Sequence, residues 1–514
     1  MKEFLLQRKR VFIILMPALL GMFYMILCIA NIRQSVGFDE AYSSYLTRFD
    51  FGSIANFTAA DSHPPLYYFI LKGWAHLFGH ADFAMRMLSV VFGALAILFA
   101  FLWLKYKYGL KAAIIAGFLL SISPVFIRYG QEMSMYTMIV AIVFAATYFL
   151  QLAIDNGQNK WWIIYAILVA LGMWTHYYTI FAWCAHLIYL FITYGKNFWK
   201  KKVWVPFIFA ILLFLPWTLN LSAQIGNMQQ NETWTHSVNV STIADYFAED
   251  LYYMTTNEIQ NWLLVLATIT VLVILFLAVR YRKQMTMPLS IALVPLIILV
   301  LLSLIPSNRL FAPHFIMYSM LAIPMIAGVG VTILTNELAM SKRKKVPLWQ
   351  KSALVGVCLM LILGASSIVG VGTVYAKGNY NVYDDTKPIG KDLYNLIVEY
   401  DNDHNLPIVV NSLRLYYSLV TYTSEERPIL FINEQANFNL GSMKPLKESY
   451  FGRIDNLDTW LENHGEFWFV GEAPEDPYTQ FIEFPRESWR ATELLNQQFD
   501  IKSPTYQILK LEKE

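Results

Sequence analysis

The feature that most constrains this chain is a succession of eleven apolar stretches, approximately 11–30, 84–104, 112–127, 136–154, 161–175, 178–194, 203–219, 259–279, 288–305, 315–334 and 352–375. A bilayer core about 30 Å thick is crossed by a helix of about 20 apolar residues. Backbone N–H and C=O groups find no water there, so each crossing segment must pair them internally. The pattern predicts a polytopic α-helical membrane protein with about 11 transmembrane helices. The shorter stretches predict tilt or kinks. Composition agrees: 15% of residues are charged, against about 25% in soluble proteins.

Charge sorting predicts the orientation. Arg8, Lys9 and Arg10 precede the first apolar stretch, which is too long for a signal-peptide core and reads as an uncleaved anchor. With the N-terminus inside, the inside segments up to residue 351 carry 20 Lys and Arg. The outside segments before residue 376 carry only Arg33, Arg48, Lys72, Arg86, Arg128 and Arg309. The outside loop 220–258 has no Lys or Arg, but has Glu232, Asp245, Glu249, Asp250 and Glu258. This is the positive-inside pattern. It places the N-terminus in the cytoplasm and, after an odd number of spans, the segment 376–514 outside. Cys28, Cys184 and Cys358 all lie in apolar stretches, so neither a disulfide framework nor a cysteine metal site is expected. A bacterial plasma membrane fits this usage.

Two regions depart from the span pattern. Residues 31–83 contain two amphipathic pieces, SSYLTRFDFGSIANFTA and PLYYFILKGWAHLFG, of the kind that lie in the membrane interface. Residues 376–514 regain charge and shorten their apolar runs. LPIVVNS, RPILFIN and EFWFVGE read as buried strands, LRLYYSLVTY and LDTWLENH as helices, and the segment from Ser488 onward as helix then strand. The expected organisation is a membrane domain over 1–375 and an extracytoplasmic α/β domain over 376–514. The latter has no phosphate loop and no catalytic motif, and reads as a cap, an acceptor-recognition unit or a purely structural one.

Candidate chemistry gathers on the outside face. Asp39 and Glu40 follow the first span, flanked by Phe38, Tyr42 and Tyr45. Adjacent helical residues point apart, so the two carboxylates need not share a site, and a solvated acidic pair is the bland alternative. His63 precedes Pro64 and Pro65, which restrict the backbone around it. Arg128, Glu132 and Tyr136 lie where the third and fourth spans meet. Arg128 reads either as a snorkelling anchor or as a ligand, whereas a carboxylate at the depth of Glu132 needs a partner. His176 lies at a third outside junction, and Arg309 and His314 at a fourth.

In this order the motifs DEAY, HPPLYY, RMLSVVFG, SPVFIRYGQEMSMY, THYY and LPW resemble the bacterial membrane glycosyltransferases of the GT-C superfamily, the group of the protein O-mannosyltransferases and the lipid A aminoarabinose transferase. The likeness covers residues 1 to about 330. It implies a polyprenyl-phosphate sugar donor, inversion at the anomeric carbon, and an acceptor hydroxyl on an envelope polymer, glycolipid or protein. On that pattern Asp39 is the general base and Glu40 supports it. His63 and Arg86 would attend the donor phosphate or leaving group, with Arg128, Arg309 and His314 as further phosphate candidates. Tyr42, Glu132, Tyr136 and His176 would complete the cavity. Relatives commonly carry Arg where this chain has Ser134, and Arg-Tyr where it has His314 and Phe315.

The carboxylates of Asp39, Glu40 and Asp61 are able to hold a divalent metal, but no ligand spacing compels one, and nothing points to nucleic acid. Competing readings are a polytopic transporter, a polysaccharide polymerase or ligase, and a non-catalytic scaffold. A transporter should show internal repeats or midplane charges, and neither is present.

Overall fold

A computed structural model describes residues 2–221, 224, 240–254, 260–303, 312–341, 349–377, 390–401, 405–423, 427–432, 444–448, 452–472, 488–495 and 506–514. Each of the eleven apolar stretches falls on helix: α1 (Lys2–Ile29), α5 (Asp82–Tyr108), α6 (Leu110–Ser121) with α7 (Pro124–Gly130), α8 (Tyr136–Asn156), α9 (Asn159–Thr175), α10 (Thr179–Tyr194), α11 (Lys201–Phe214), then Asn261–Arg280, Thr286–Ser303, Ala322–Ser341 and Trp349–Lys377. Among the described residues, six helices are long and apolar enough to cross a membrane, or seven if α6 and α7 count as one bent span. The expected number of about eleven is not reached by this measure. The physical reason is length: the 17 residues of α9 rise only about 25 Å at 1.5 Å each.

The 60° bend between α6 and α7 begins at Pro124, the first residue of α7, whose ring and missing N–H disfavour continuation of the preceding helix. The turn carries Arg128 inward. It is locked by Tyr24 of α1, whose hydroxyl donates to the Phe126 carbonyl at 3.0 Å. Tyr24 is fully buried and wedges between Gly93 of α5 and Gly130 of α7. A Cβ at either glycine would stand 2.3 or 2.2 Å from its hydroxyl oxygen.

Between α1 and α5 the chain forms three helices, α2 (Phe38–Leu46), α3 (Phe51–Ala60) and α4 (Leu66–Phe78). The first amphipathic piece is therefore two helices. The break falls at Asp50, which caps α3 by accepting from Gly52 N at 2.8 Å and Ser53 N at 3.0 Å.

The C-terminal part builds a six-stranded sheet of order β3-β2-β1-β4-β6-β5, from β1 (Ile408–Val410), β2 (Ile429–Ile432), β3 (Arg453–Ile454), β4 (Glu466–Glu472), β5 (Trp489–Leu495) and β6 (Tyr506–Lys513). β1 pairs in parallel with both β2 and β4, and β6 pairs antiparallel with β4 and β5. The three strands read from sequence are β1, β2 and β4, and the two helices are Leu413–Val420, here α12, and Leu457–Glu462. The stretch after Ser488 corrects the expected helix: Trp489–Leu495 is a strand, because its pairing with β6 overrides a local helical preference. Side chains alternate across the sheet. Val409, Phe467, Phe469, Leu509 and Leu511 form a separate small core. Val410, Phe431, Trp468, Val470 and Ile508 face the other way and join the core that runs into the membrane helices.

Candidate active site

Gly37 caps helix α2, which starts at Phe38, so Asp39 and Glu40 occupy its first turn, where the helix dipole favours negative charge. The two carboxylates part ways. Glu40 is buried, whereas Asp39 is exposed.

Glu40 is saturated. Its Oε1 accepts from Arg86 Nε at 2.8 Å and Met133 N at 2.9 Å, and its Oε2 from Arg86 Nη2 at 2.8 Å and Gly37 N at 3.0 Å. Burial alone would raise its pKa, but the Arg86 charge and these hydrogen bonds hold it below the usual carboxylate value. Arg86, from α5, is fully buried. Besides Glu40 it donates through Nη1 to the carbonyls of Ile32 at 2.6 Å and Gln34 at 2.7 Å, and through Nη2 to Ser35 at 3.2 Å. All the N–H groups of its guanidinium are thus committed. Arg86, expected beside the leaving phosphate, instead ties the 32–40 segment to α5.

A second pair lies alongside. Arg128 Nη1 meets Glu132 Oε2 at 2.8 Å, and Arg128 Nε donates to the Tyr253 hydroxyl at 3.0 Å. Arg128 is thus a buried partner of Glu132, not a snorkelling anchor. Burial pushes the Glu132 carboxyl up to about 7, against the Arg128 charge and with the charges of Glu40 and Asp39. Asp39 lies within electrostatic reach of Tyr68, Glu132 and Tyr136.

The histidines collect opposite. His63 accepts or donates one hydrogen bond with Ser62 Oγ at 2.9 Å through Nδ1, and its ring lies 5.0 Å from that of His176. Phe315 sits between them and His314, with ring centres 4.7 Å from His176 and 4.8 Å from His314. His314 packs edge-on to Tyr136 at 4.9 Å. Burial depresses His63 to about 4. Burial, then the charges of His63 and His314, depress His176. The Nδ1 of His176 accepts from Tyr178 N at 3.1 Å, and its buried Nε2 has no hydrogen-bond partner among the described residues.

The structure thus brings together Asp39, Glu40, Tyr42, His63, Arg86, Arg128, Glu132, Tyr136, His176 and His314. Arg309 lies outside the described residues. Asp61, read from the sequence only as a possible metal ligand, joins that group. Asp61 is half-buried, and burial raises it to about 6; its charge is felt by Tyr42, Tyr68 and Tyr417. Sequence reasoning gave no site role to Tyr68, Tyr129, Tyr253 and Phe315. Tyr68 and Phe315 adjoin motifs already singled out, and that adjacency was the available signal. Tyr253 and Tyr417 carried none. Among the described residues no three His, Cys, Asp or Glu side chains are grouped to hold a metal ion.

Residues 62–219 match the family described as dolichyl-phosphate-mannose-protein mannosyltransferase. No curated protein matches the chain in sequence. The crystal structure of ArnT from Cupriavidus metallidurans in the apo state shares the fold with a TM-score of 0.62 at 12% identity, covering 98% of each chain. ArnT from the same organism bound to undecaprenyl phosphate gives 0.62 at 13% identity, covering 97% of this chain and 98% of that one. The Archaeoglobus fulgidus oligosaccharyltransferase in the apo form gives 0.52 at 14% identity, covering 90% of this chain and 70% of that one. Residues 62–219 are thus similar to that mannosyltransferase family, and nearly the whole of this multi-pass membrane protein shares the fold of ArnT.

Proposed function

We propose that this protein transfers a sugar from a polyprenyl-phosphate donor to an acceptor hydroxyl at the outer face of a bacterial plasma membrane, with inversion and with Asp39 as general base. The N-terminus is cytoplasmic, the membrane part crosses about eleven times, and the α/β region lies outside. The observation that carries the mechanism is the division of labour on α2. Glu40 is fully occupied by Arg86, Gly37 and Met133, which leaves Asp39 as the exposed carboxylate of the pair.

A sugar or serine hydroxyl is a poor nucleophile, and a positioned carboxylate supplies about 10²–10⁴-fold by removing its proton as the bond forms. The attacking oxygen displaces lipid phosphate from the anomeric carbon, on the face opposite the leaving group. Phosphate is already a good leaving group, so no general acid is called for. Positive charge and hydrogen-bond donors aimed at it suffice. His63, His176 and His314 are candidates for that role, joined by Arg128 and Arg309. The undecaprenyl phosphate bound to ArnT from Cupriavidus metallidurans supports a lipid of this class as the product left behind.

The test is transfer from a panel of radiolabelled polyprenyl-phosphate sugars in membranes, comparing wild type with Asp39→Asn. Label reaching an acceptor in wild type alone is expected. Equal transfer by both removes Asp39 as the base, and no transfer from any donor by folded wild type removes the reading as a whole.

A further inference from the structure

Helix α2 carries Asp39 but has little of its own to fix its direction. It has nine residues, well short of the ~12–15 at which an isolated helix becomes even marginally stable. Glu40 anchors it to α5 through Arg86. Asp39 projects about 100° around the helix from Glu40, and on the membrane side α2 is also held by Met133 N, which donates to Glu40 Oε1 at 2.9 Å, and by Tyr68 of α4, whose ring lies 6.4 Å from that of Tyr42.

A further hold, on the aromatic face of α2, comes from the C-terminal region. Tyr417 of α12 is fully buried and sets its ring edge-on against three rings of α2: Phe38 at 5.8 Å, Tyr42 at 5.5 Å and Tyr45 at 5.3 Å. Phe38 immediately precedes Asp39, and Tyr42 lies one turn after it. Tyr416 adds a ring contact to Tyr45 at 6.1 Å and a hydroxyl pair at 3.4 Å. Both flanks of α2 are tied as well. The Tyr422 hydroxyl accepts from Val36 N at 2.9 Å, Ser35 Oγ accepts from Lys391 N at 3.3 Å, and Arg48 Nη2 donates to the Val420 carbonyl at 2.9 Å.

We infer that α12 is a positioning element of the transfer reaction, and that Tyr417, wedged against Phe38, Tyr42 and Tyr45, fixes the direction in which Asp39 leaves α2. The C-terminal region then acts in catalysis through α2 without supplying a reacting group. This rests on the reading of Asp39 as the base.

The experiment uses the full-length enzyme in nanodiscs. It compares wild type, Tyr417→Leu and Tyr417→Phe with Leu461→Ala, a change in the small core on the far face of the sheet, among Val409, Ile454 and Phe467. Two readouts are taken: kcat and donor KM with an undecaprenyl-phosphate sugar, and hydrogen exchange over residues 37–47 without substrate. Tyr417→Leu is expected to lower kcat by up to about 10²-fold, the order of loss for a misplacement near 1 Å. Donor KM should stay in place while exchange over 37–47 rises. Tyr417→Phe should restore both, because the ring edges do the holding, and Leu461→Ala should leave both unchanged.

Wild-type kcat in folded Tyr417→Leu overturns the inference. So does an equal loss in Leu461→Ala, which would trace the effect to the stability of the sheet. If Tyr417→Leu does not fold, Arg48→Gln, which cuts the tie to Val420 and the guanidinium contact over the Tyr45 ring at 5.5 Å, carries the same test: raised exchange with a smaller kcat loss supports the inference, and no change in either overturns it. Exchange is read without substrate, so a wild type that transfers nothing defeats the proposed function, whereas unchanged exchange in Tyr417→Leu defeats the positioning role by itself.

Discussion

Arg86 and Glu40 form a two-point ion pair beneath the site, Nε to Oε1 at 2.8 Å and Nη2 to Oε2 at 2.8 Å. Both residues are buried. Removing one member of such a pair strands the other charge, at a cost of about 3–5 kcal/mol. Arg86→Ala and Glu40→Ala are each expected to lower stability by that order. The double variant should lose less than the sum, as contacting partners do. Arg86→Lys should not rescue, because one ammonium cannot serve two carboxylate oxygens and three carbonyls in a planar fork. Thermal unfolding of these four variants against wild type in detergent checks this, and additive losses would contradict it.

Asp39→Asn should behave differently. Asp39 is exposed, so its neutralisation should leave the unfolding temperature near that of wild type while transfer falls about 10²–10⁴-fold. A stability loss as large as that of Glu40→Ala would show that Asp39 also serves the fold.

His63 supplies a pH signature. Burial lowers its pKa from 6.5 to about 4, so the folded protein favours the neutral ring. Its contribution to stability is fully present above pH 6.5, and it is lost as pH falls from 6.5 through 4, where the unfolded chain takes up the proton first. Unfolding temperature followed over that window should fall with acid in wild type and fall less steeply in His63→Gln. Parallel curves would count against a buried neutral imidazole.

Gly130→Ala tests the seat of the bent helix pair. The added Cβ would stand 2.2 Å from the Tyr24 hydroxyl oxygen and 2.8 Å from Cys28 Sγ. Overpacking of a closed site costs about 1–3 kcal/mol. The double change Tyr24→Phe with Gly130→Ala should recover part of it, since it removes the nearest clashing atom. No recovery would place the strain elsewhere.

The chain's local patterns already determined a good deal. Apolar stretches announced the membrane helices, because burial in lipid is written residue by residue. The parallel strands and the helix of Tyr416 and Tyr417 were legible from short-range periodicity. The site was legible as a set of motifs on one face: DEAY, HPP and the segment from Arg128 to Tyr136 do meet.

Their division of roles was not legible. Asp39 and Glu40 are adjacent carboxylates of the same chemistry. Which one is buried depends on Arg86, 46 positions away in sequence. The strand at Trp489–Leu495 likewise looks helical until β6 pairs with it. The seat of Tyr416 beside Tyr45 joins residues 371 positions apart. Such contacts leave no periodic trace, since they depend on which surfaces the finished fold brings within reach. Sequence could name the carboxylates and the aromatic residues; only the packed structure could say that Glu40 is the buried carboxylate and Asp39 the exposed one, because burial is set by contacts between segments far apart in the chain.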